Sequence, residues 1–138
     1  MKISFIVDGD KEFLSFAERH LTIFGYQVYS FTSPDEFLAS LRLRPELIIL
    51  GDQLGDRQIV LNSIRKARTT LSSAIIIQVA VPDDAINAAS SIKAGASEFI
   101  ERNSATFVRL RTSLDLREAK DKKGVGSIMS NLKKVFIG

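Results

Sequence analysis

Five short apolar segments alternate along this chain with five segments whose apolar residues recur at helical spacing. This alternation constrains the fold more than any other feature, because nearly continuous apolar strands must be buried on both faces of a sheet. Strands of that kind are joined by helical crossovers and therefore run parallel to one another. The predicted strands are residues 3–7, 27–31, 47–50, 74–81 and 97–101.

Capping residues and glycines mark the ends of the predicted helices. Asp10 offers an N-cap for the first helix, and Gly25 ends that helix. At the second helix, Ser33 precedes a proline and is followed three residues later by Glu36, which is the pattern of a capping box. The remaining boundaries are predicted at Ile59 and Arg68 for the third helix, at Asp83–Asp84 and Gly95 for the fourth, and at Asn103–Ser104 for the fifth.

Five strand–helix units predict an α/β fold with a doubly wound, flavodoxin-like parallel sheet. We expect strand order 2-1-3-4-5, with right-handed crossovers and helices on both faces. In this order the winding reverses between strands 1 and 3, and a functional crevice is expected at their carboxyl ends. Asp8, Gly9 and Asp10 follow strand 1, and Gly51 and Asp52 follow strand 3.

Composition narrows the chemistry that this crevice can perform. Cysteine is absent and His20 is the one histidine, which excludes disulfides, thiol nucleophiles and metal sites rich in Cys or His. No apolar run reaches the roughly 20 residues of a membrane span. The amino-terminal residues lack the pattern of a secretory signal peptide, so we expect a cytoplasmic protein.

The net charge of +3 is distributed unevenly. Residues 117–138 hold six basic and two acidic side chains, whereas residues 1–116 hold 13 basic and 14 acidic ones. We therefore expect a globular domain over residues 1–119 and a basic linker or tail over residues 120–138, which can lead into a further domain. Only the tail is basic enough to favour nucleic acid or a membrane surface.

Three motifs, in this order, resemble the receiver domain of two-component response regulators. Residues 6–10, Ile-Val-Asp-Gly-Asp, are similar to the acidic motif of receiver strand 1. Residues 45–52, Pro-Glu-Leu-Ile-Ile-Leu-Gly-Asp, are similar to the phospho-acceptor strand. Residues 92–100, Ile-Lys-Ala-Gly-Ala-Ser-Glu-Phe-Ile, are similar to the signature that enters strand 5. The resemblance covers residues 2–118 and implies the CheY-like version of the fold.

The resemblance also implies a chemistry, most of whose residues are altered here. In receivers an aspartate at the end of strand 3 accepts a phosphoryl group, and two acidic residues after strand 1 hold Mg²⁺. A hydroxyl residue after strand 4 and a lysine after strand 5 bind the phosphoryl oxygens, and an aromatic residue on strand 5 acts as a switch. Asp8 matches the first acidic residue, but the other positions hold Gly9 at the second acidic residue, Gly51 at the acceptor, Val79 at the hydroxyl, Phe99 at the aromatic and Arg102 at the lysine.

These changes predict a degenerate acidic pocket, formed by Asp8, Gly9 and Asp10, that has no catalytic residue and no cofactor. The alternative is that Asp52 is a displaced phospho-acceptor, with weak Mg²⁺ binding at Asp8 and Asp52. Because consecutive strand residues point to opposite faces, we expect Asp52 to point away from Asp8 unless strand 3 has already ended. Asp10 is expected to cap the first helix, and Asp56 to lie in a loop or to cap the third.

The leading hypothesis is a non-enzymatic receiver-like module that works in bacterial signalling or localisation by phosphorylation-independent protein–protein interaction. The resemblance implies that helix 4, strand 5 and helix 5 would form the surface for a protein partner or a homodimer. The charged residues of that surface are Lys93, Glu98, Glu101, Arg109 and Arg111. The alternatives are an active phospho-receiver that uses Asp52 and Mg²⁺, binding of nucleic acid or membrane through the basic tail, and binding of a small ligand in the space left by Gly9 and Gly51.

Overall fold

A computed structural model describes residues 2–125 of the chain. The strands are β1 (Ile3–Val7), β2 (Gln27–Phe31), β3 (Leu47–Leu50), β4 (Ile75–Ala80) and β5 (Glu98–Glu101). The helices are α1 (Lys11–Ile23), α2 (Pro34–Ala39), α3 (Arg57–Thr70), α4 (Ala88–Ala94) and α5 (Thr106–Val125), with a 3₁₀ turn at Leu41–Leu43.

All five strands pair in parallel in the order β2-β1-β3-β4-β5, which confirms the predicted topology. Val7 lies opposite Leu50, and Leu50 lies opposite Gln78. The ends of β1 and β3 are therefore level with each other. Chain segments that leave these two strands emerge side by side at one edge of the sheet.

Alternate residues of the central strands build the core on one face of the sheet. Phe5 and Val7 of β1 and Ile48 and Leu50 of β3 belong to one buried cluster with residues of α2, α3 and α4. Helix α1 packs against β1 and β2, and its four buried residues lie outside that cluster, so α1 covers the other face. Complete burial of a large aliphatic side chain contributes about 1.5–3 kcal/mol, so the central strands anchor the fold.

The predicted helix caps are confirmed at the first three helices. Asp10 accepts hydrogen bonds from the backbone N–H groups of Glu12 and Phe13. Ser33 accepts from the N–H of Glu36, and Asp56 caps α3 in the same way. Each cap provides an acceptor for a donor that has no partner within the helix.

The start of α4 differs from the prediction. The helix begins at Ala88, after a capping box in which Asn87 and Ser90 bond each other's backbone N–H. Asp83, predicted in the first turn, instead accepts hydrogen bonds from the N–H groups of Ala85 and Ile86, at 2.9 and 2.7 Å. This local turn competes with the helix for the same backbone donors, which delays the helix.

Helix α5 continues to Val125, so the boundary predicted between residues 119 and 120 lies within this helix. Residues 126–138 of the predicted tail lie outside the described residues. The chain divides into two compact units at Phe107 and Val108, in the first turns of α5. The first unit contains all five strands and helices α1 to α4. Within the second, Leu110 and Leu114 are buried, whereas Val108 and Leu116 are about two-thirds exposed, at 67% and 66%.

None of the helices in the described part of the chain is both long enough and apolar enough to cross a lipid bilayer.

Candidate functional site

Three acidic side chains and one guanidinium group meet at the carboxyl-end edge of the sheet. Asp8 follows β1, Asp52 lies two residues after β3, and Arg102 follows β5. Asp10, the N-cap of α1, supplies the third carboxylate. Because β4 lies between β3 and β5, the long Arg102 side chain reaches past the end of β4 to its partners. We call these four residues the Arg102 cluster.

The guanidinium group of Arg102 contacts all three carboxylates. Its Nη1 lies 2.8 Å from Asp8 Oδ2 and its Nη2 lies 3.1 Å from Asp8 Oδ1, which is a two-pronged ion pair. The same Nη1 lies 2.9 Å from Asp52 Oδ1, and Nη2 lies 3.4 Å from Asp10 Oδ2. A planar fork of N–H donors suits this arrangement, which the single ammonium of a lysine cannot reproduce.

Most of the cluster is shielded from water. The Asp8 side chain is fully buried, the Asp52 and Arg102 side chains are 8% and 14% exposed, and Asp10 is 39% exposed. Burial alone would lower the pKa of Arg102, but the hydrogen bond and charge of Asp8, together with the charges of Asp52 and Asp10, raise that pKa above its ordinary value. Arg102 is therefore a cation at neutral pH.

Backbone N–H groups complete the bonding of the two buried carboxylates. Asp8 Oδ1 accepts from the N–H of Asp10 at 2.8 Å, and Asp8 Oδ2 accepts from the N–H of Gln53 at 3.2 Å. Asp52 Oδ2 accepts from the N–H of Val81 at 2.8 Å. Each oxygen of Asp8 and Asp52 therefore has a hydrogen-bond donor, as buried polar atoms require.

Gly51, which stands at the phospho-acceptor position of the resemblance, lies directly beneath the Asp8 carboxylate. A Cβ atom at Gly51 would collide with Asp8 Oδ2 and would lie only 2.6 Å from Asp8 Cγ. The Gly51 N–H continues the sheet pairing by donating to the carbonyl of Val7 at 2.8 Å. Any side chain at residue 51 would therefore require the Asp8 carboxylate to move.

Gly9, at the second acidic position, permits a second close approach. Its N–H donates to the carbonyl of Gln53 at 2.7 Å, and a Cβ atom at Gly9 would collide with that carbonyl oxygen. The two glycines thus bring the loop after β3 onto the end of β1. The space predicted for a small ligand is filled by the Asp8 carboxylate over Gly51 and by the backbone of Gln53 over Gly9.

Asp52 does not point away from Asp8, because the exception stated in the prediction applies. Strand β3 ends at Leu50, so the alternation of side chains no longer governs residue 52. Asp52 turns into the pocket and shares the Arg102 guanidinium with Asp8. Its role as a displaced phospho-acceptor stays a prediction.

Two further positions of the resemblance hold apolar residues, and the first of them lacks the expected hydroxyl group. Val79 is fully buried in β4, and Phe99 of β5 is partly buried against the core. The neighbouring residue Gln78 is a polar site residue that the sequence analysis missed. Its Nε2 donates to the carbonyls of Leu50 and Gly51 at 2.9 and 3.2 Å. The signal was present, because Gln78 is the one polar residue within the apolar β4 segment.

The charged residues of the predicted interaction surface lie on α4, β5 and α5. Lys93 and Glu101 are exposed, Glu98 is partly buried, and Arg109 and Arg111 are exposed. Their use as one surface for a partner stays a prediction.

The resemblance implies Mg²⁺, and the donor set of this pocket does not fit that ion. Mg²⁺ prefers six oxygen ligands in a near-octahedral arrangement. The oxygens of Asp8 and Asp52 already bind Arg102 or backbone N–H groups, and the guanidinium lies between the two carboxylates. Among residues 2–125 no group of three or more acidic, His or Cys side chains is arranged to hold a metal ion.

Comparison with solved structures identifies the fold. A CheY-like response regulator receiver domain protein from Methanospirillum hungatei has 22% identity and a TM-score of 0.74, over 89% of this chain and 98% of that one. The BeF3-activated receiver domain of DrrB has 19% identity and a TM-score of 0.73, over 83% and 95%. An orphan response regulator of H. pylori has 13% identity and a TM-score of 0.71, over 84% and 95%.

No protein-family model matches this sequence, and no curated protein matches it either. At identities of 13–22% the structural likenesses concern the fold alone. The chain has the fold of response-regulator receiver domains, which confirms the predicted fold class. The residues of the pocket must carry any further argument about activity.

Proposed function

We propose that this chain is a degenerate receiver domain that acts by protein–protein interaction without phosphorylation, as a signalling or localisation module of the bacterial cytoplasm and not as an enzyme. One observation carries the proposal. The position at which the resemblance places the phospho-acceptor is Gly51, and the buried Asp8 carboxylate occupies the place that the Cβ atom of an acceptor side chain would take.

The residues around Gly51 support the same conclusion. Val79 has no hydroxyl with which to bind a phosphoryl oxygen. Arg102, at the lysine position, already uses Nη1 and Nη2 to bind carboxylates. The pocket therefore has neither a nucleophile at the expected position nor a free cationic group to receive a phosphoryl group.

The partner-binding surface that we propose includes α4 and β5. It carries both signs of charge, since Lys93 accompanies Glu98 and Glu101. Mixed charges suit a reciprocal contact with a second copy of the chain or with a protein of complementary charge.

The test measures intact mass and amide NMR spectra of the full chain in Mg²⁺, before and after addition of acetyl phosphate or beryllofluoride. We expect no gain of one phosphoryl mass and no change in the amide signals of Gly9, Gly51 or Val81. A stoichiometric mass gain, with shifts at these amides, would contradict the proposal.

A second candidate function, phosphorylation on Asp52, is favoured by one observation: Asp52 points into the pocket beside Asp8. Against it, Arg102 binds Asp52 Oδ1 at 2.9 Å and the Val81 N–H binds Oδ2 at 2.8 Å. Each oxygen of Asp52 thus accepts a hydrogen bond from a partner, which lowers its electron density and makes it a weaker nucleophile. The matched variant is Asp52→Asn, which keeps the size of the side chain. A mass gain that disappears in Asp52→Asn but persists in the exposed control Asp84→Asn would establish this second function.

A further inference from the structure

We propose that the Arg102 guanidinium is the built-in counter-ion of the acidic pocket: it holds Asp8, Asp52 and Asp10 together in place of a divalent cation and makes the folded chain indifferent to Mg²⁺. Three carboxylates lie within 3.4 Å of its terminal nitrogens, and the two buried ones lie at 2.8 and 2.9 Å. One planar group therefore binds residues that follow β1 and β3 and the cap of α1.

The balance of charge explains why a cation is required here. Asp8 and Asp52 are almost completely removed from water, so hydration cannot stabilise their charges. Backbone N–H groups contribute hydrogen bonds but no net charge. Arg102 is the one basic side chain that forms an ion pair with Asp8 or Asp52 among the described residues. Without it, two buried anions would face each other uncompensated.

The shape of the pocket fits a flat cation rather than a hydrated metal ion. The Arg102 Cζ lies 4.3 Å from the ring centroid of Phe13, so the guanidinium stacks on an aromatic face. Phe13 is itself 6% exposed and forms an apolar wall. Mg²⁺ usually retains several bound water molecules, for which an aromatic wall offers no hydrogen-bond partner.

The cluster also positions the chain after β4. Asp52 binds Arg102 through Oδ1 and the Val81 N–H through Oδ2. Arg102 therefore acts on Val81 through Asp52, as a positioning residue, and Val81 is 55% exposed at the surface. The loop between β4 and α4 is thus held by groups of the protein alone, with no ligand required.

The experiment titrates MgCl2 into the full chain at constant ionic strength, with no phosphodonor present, so its result is separate from the test of phosphorylation. Amide NMR and the melting temperature are recorded for the native chain, Arg102→Ala and Arg57→Ala. Arg57 is the matched control, because its ion pair with Asp83 at 2.6 Å is exposed. Arg102→Lys is a second variant, which retains a positive charge but not the fork.

For the native chain and for Arg57→Ala we expect no saturable shift of the Gly9, Gln53 or Val81 amides and no Mg²⁺-dependent change in melting temperature. Arg102→Ala should melt about 10 °C lower without Mg²⁺. It should recover about 4 °C when Mg²⁺ reaches ten times its Kd. Arg102→Lys should lie between the native chain and Arg102→Ala, both in melting temperature and in its response to Mg²⁺.

Two outcomes would overturn the proposal. The first is saturable Mg²⁺ binding by the native chain at millimolar concentration, with shifts at Gly9 and Val81. The second is an Arg102→Ala chain that melts with the native one and ignores Mg²⁺. If Arg102→Ala does not fold, the native chain and Arg102→Lys still test the proposal. The proposal requires that the native chain does not respond to Mg²⁺. It also requires that Arg102→Lys is less stable than the native chain and is stabilised by Mg²⁺.

Discussion

Two arginines bind distant chain segments at opposite edges of the sheet, and they do so with different partners. Arg102, at the carboxyl-end edge, binds three carboxylates. Arg68, at the amino-end edge of β4 and β5, binds neutral oxygens at 2.7–3.1 Å, namely the carbonyls of Gly95, Leu71, Ser72 and Ala74 and the hydroxyl of Ser97.

The difference shows that the two arginines have different roles. Arg68 makes a structural contact, whereas Arg102 lies in the pocket where most positions of the resemblance are altered. Carbonyl oxygens accept the hydrogen bonds of the Arg68 guanidinium, which is partly exposed to water, so this contact joins two loops and buries no negative charge. The Arg102 cluster collects three negative charges around one positive charge, with Asp8 fully buried. Packing alone does not require buried carboxylates, which cost several kcal/mol each to desolvate. An excess of buried carboxylates over basic groups is typical of a functional pocket. In this pocket the cation is the Arg102 side chain.

Replacing each arginine by the apolar methionine is the strongest test of this comparison. Arg102→Met leaves two buried anions without a counter-ion, and we expect a loss of about 3–5 kcal/mol in the free energy of unfolding. Arg68→Met leaves neutral carbonyls without a donor, and we expect a loss of about 1–3 kcal/mol. Urea unfolding followed by circular dichroism measures both. An Arg68→Met chain that loses as much stability as Arg102→Met would remove the distinction between the two edges.

The second prediction concerns the contact between Gly51 and Asp8. A Cβ atom at residue 51 collides with the Asp8 carboxylate, so Gly51→Ala should cost about 1–3 kcal/mol through overpacking and a displaced ion pair. In an Asp8→Ala background the carboxylate is gone and only the Cβ of residue 8, at 3.0 Å, remains close, so Gly51→Ala should cost less by at least about 1 kcal/mol. A double-mutant cycle by urea unfolding measures this coupling. Additive losses in the two single variants would mean that residue 51 has room for a side chain.

The smallest expected effect concerns the exposed Arg57–Asp83 ion pair, which provides a surface reference for the buried cluster. The N–H of Ile86 lowers the pKa of Asp83 most, burial opposes this, and Ala85 and Arg57 lower it further. Because the folded pKa is lowered, the stabilisation is present above the unfolded pKa, near 4, and is lost as the pH falls through the folded pKa.

Carbon-detected NMR titration should therefore place the Asp83 carboxyl midpoint below about 4. Stability curves of the native chain and Asp83→Asn should converge under acidic conditions and remain parallel from pH 5 to 8. A midpoint at or above the ordinary value, or convergence near neutral pH, would show that the Asp83 turn is not formed in solution.

Much of the fold was predictable because its signals are local. The apolar runs at 3–7 and 47–50 and the caps Asp10 and Ser33 each depend on neighbours within about one helical turn. The start of α4 was not predictable in this way, since Asp83 and Asn87 both offer capping oxygens and only the folded loop selects between them. The direction of Asp52 depended on where β3 ends, and hence on sheet pairing.

The sequence by itself determined the five strands, their parallel order and the edge at which Asp8, Gly51 and Asp52 meet. These follow from periodicity and from the short range of capping interactions. Only the tertiary structure decided that Arg102 reaches past β4 to the carboxylates and that Asp8 covers Gly51. The physical reason is that charges pair through space: Arg102 and Asp8 are 94 positions apart in the chain but 2.8 Å apart in the fold.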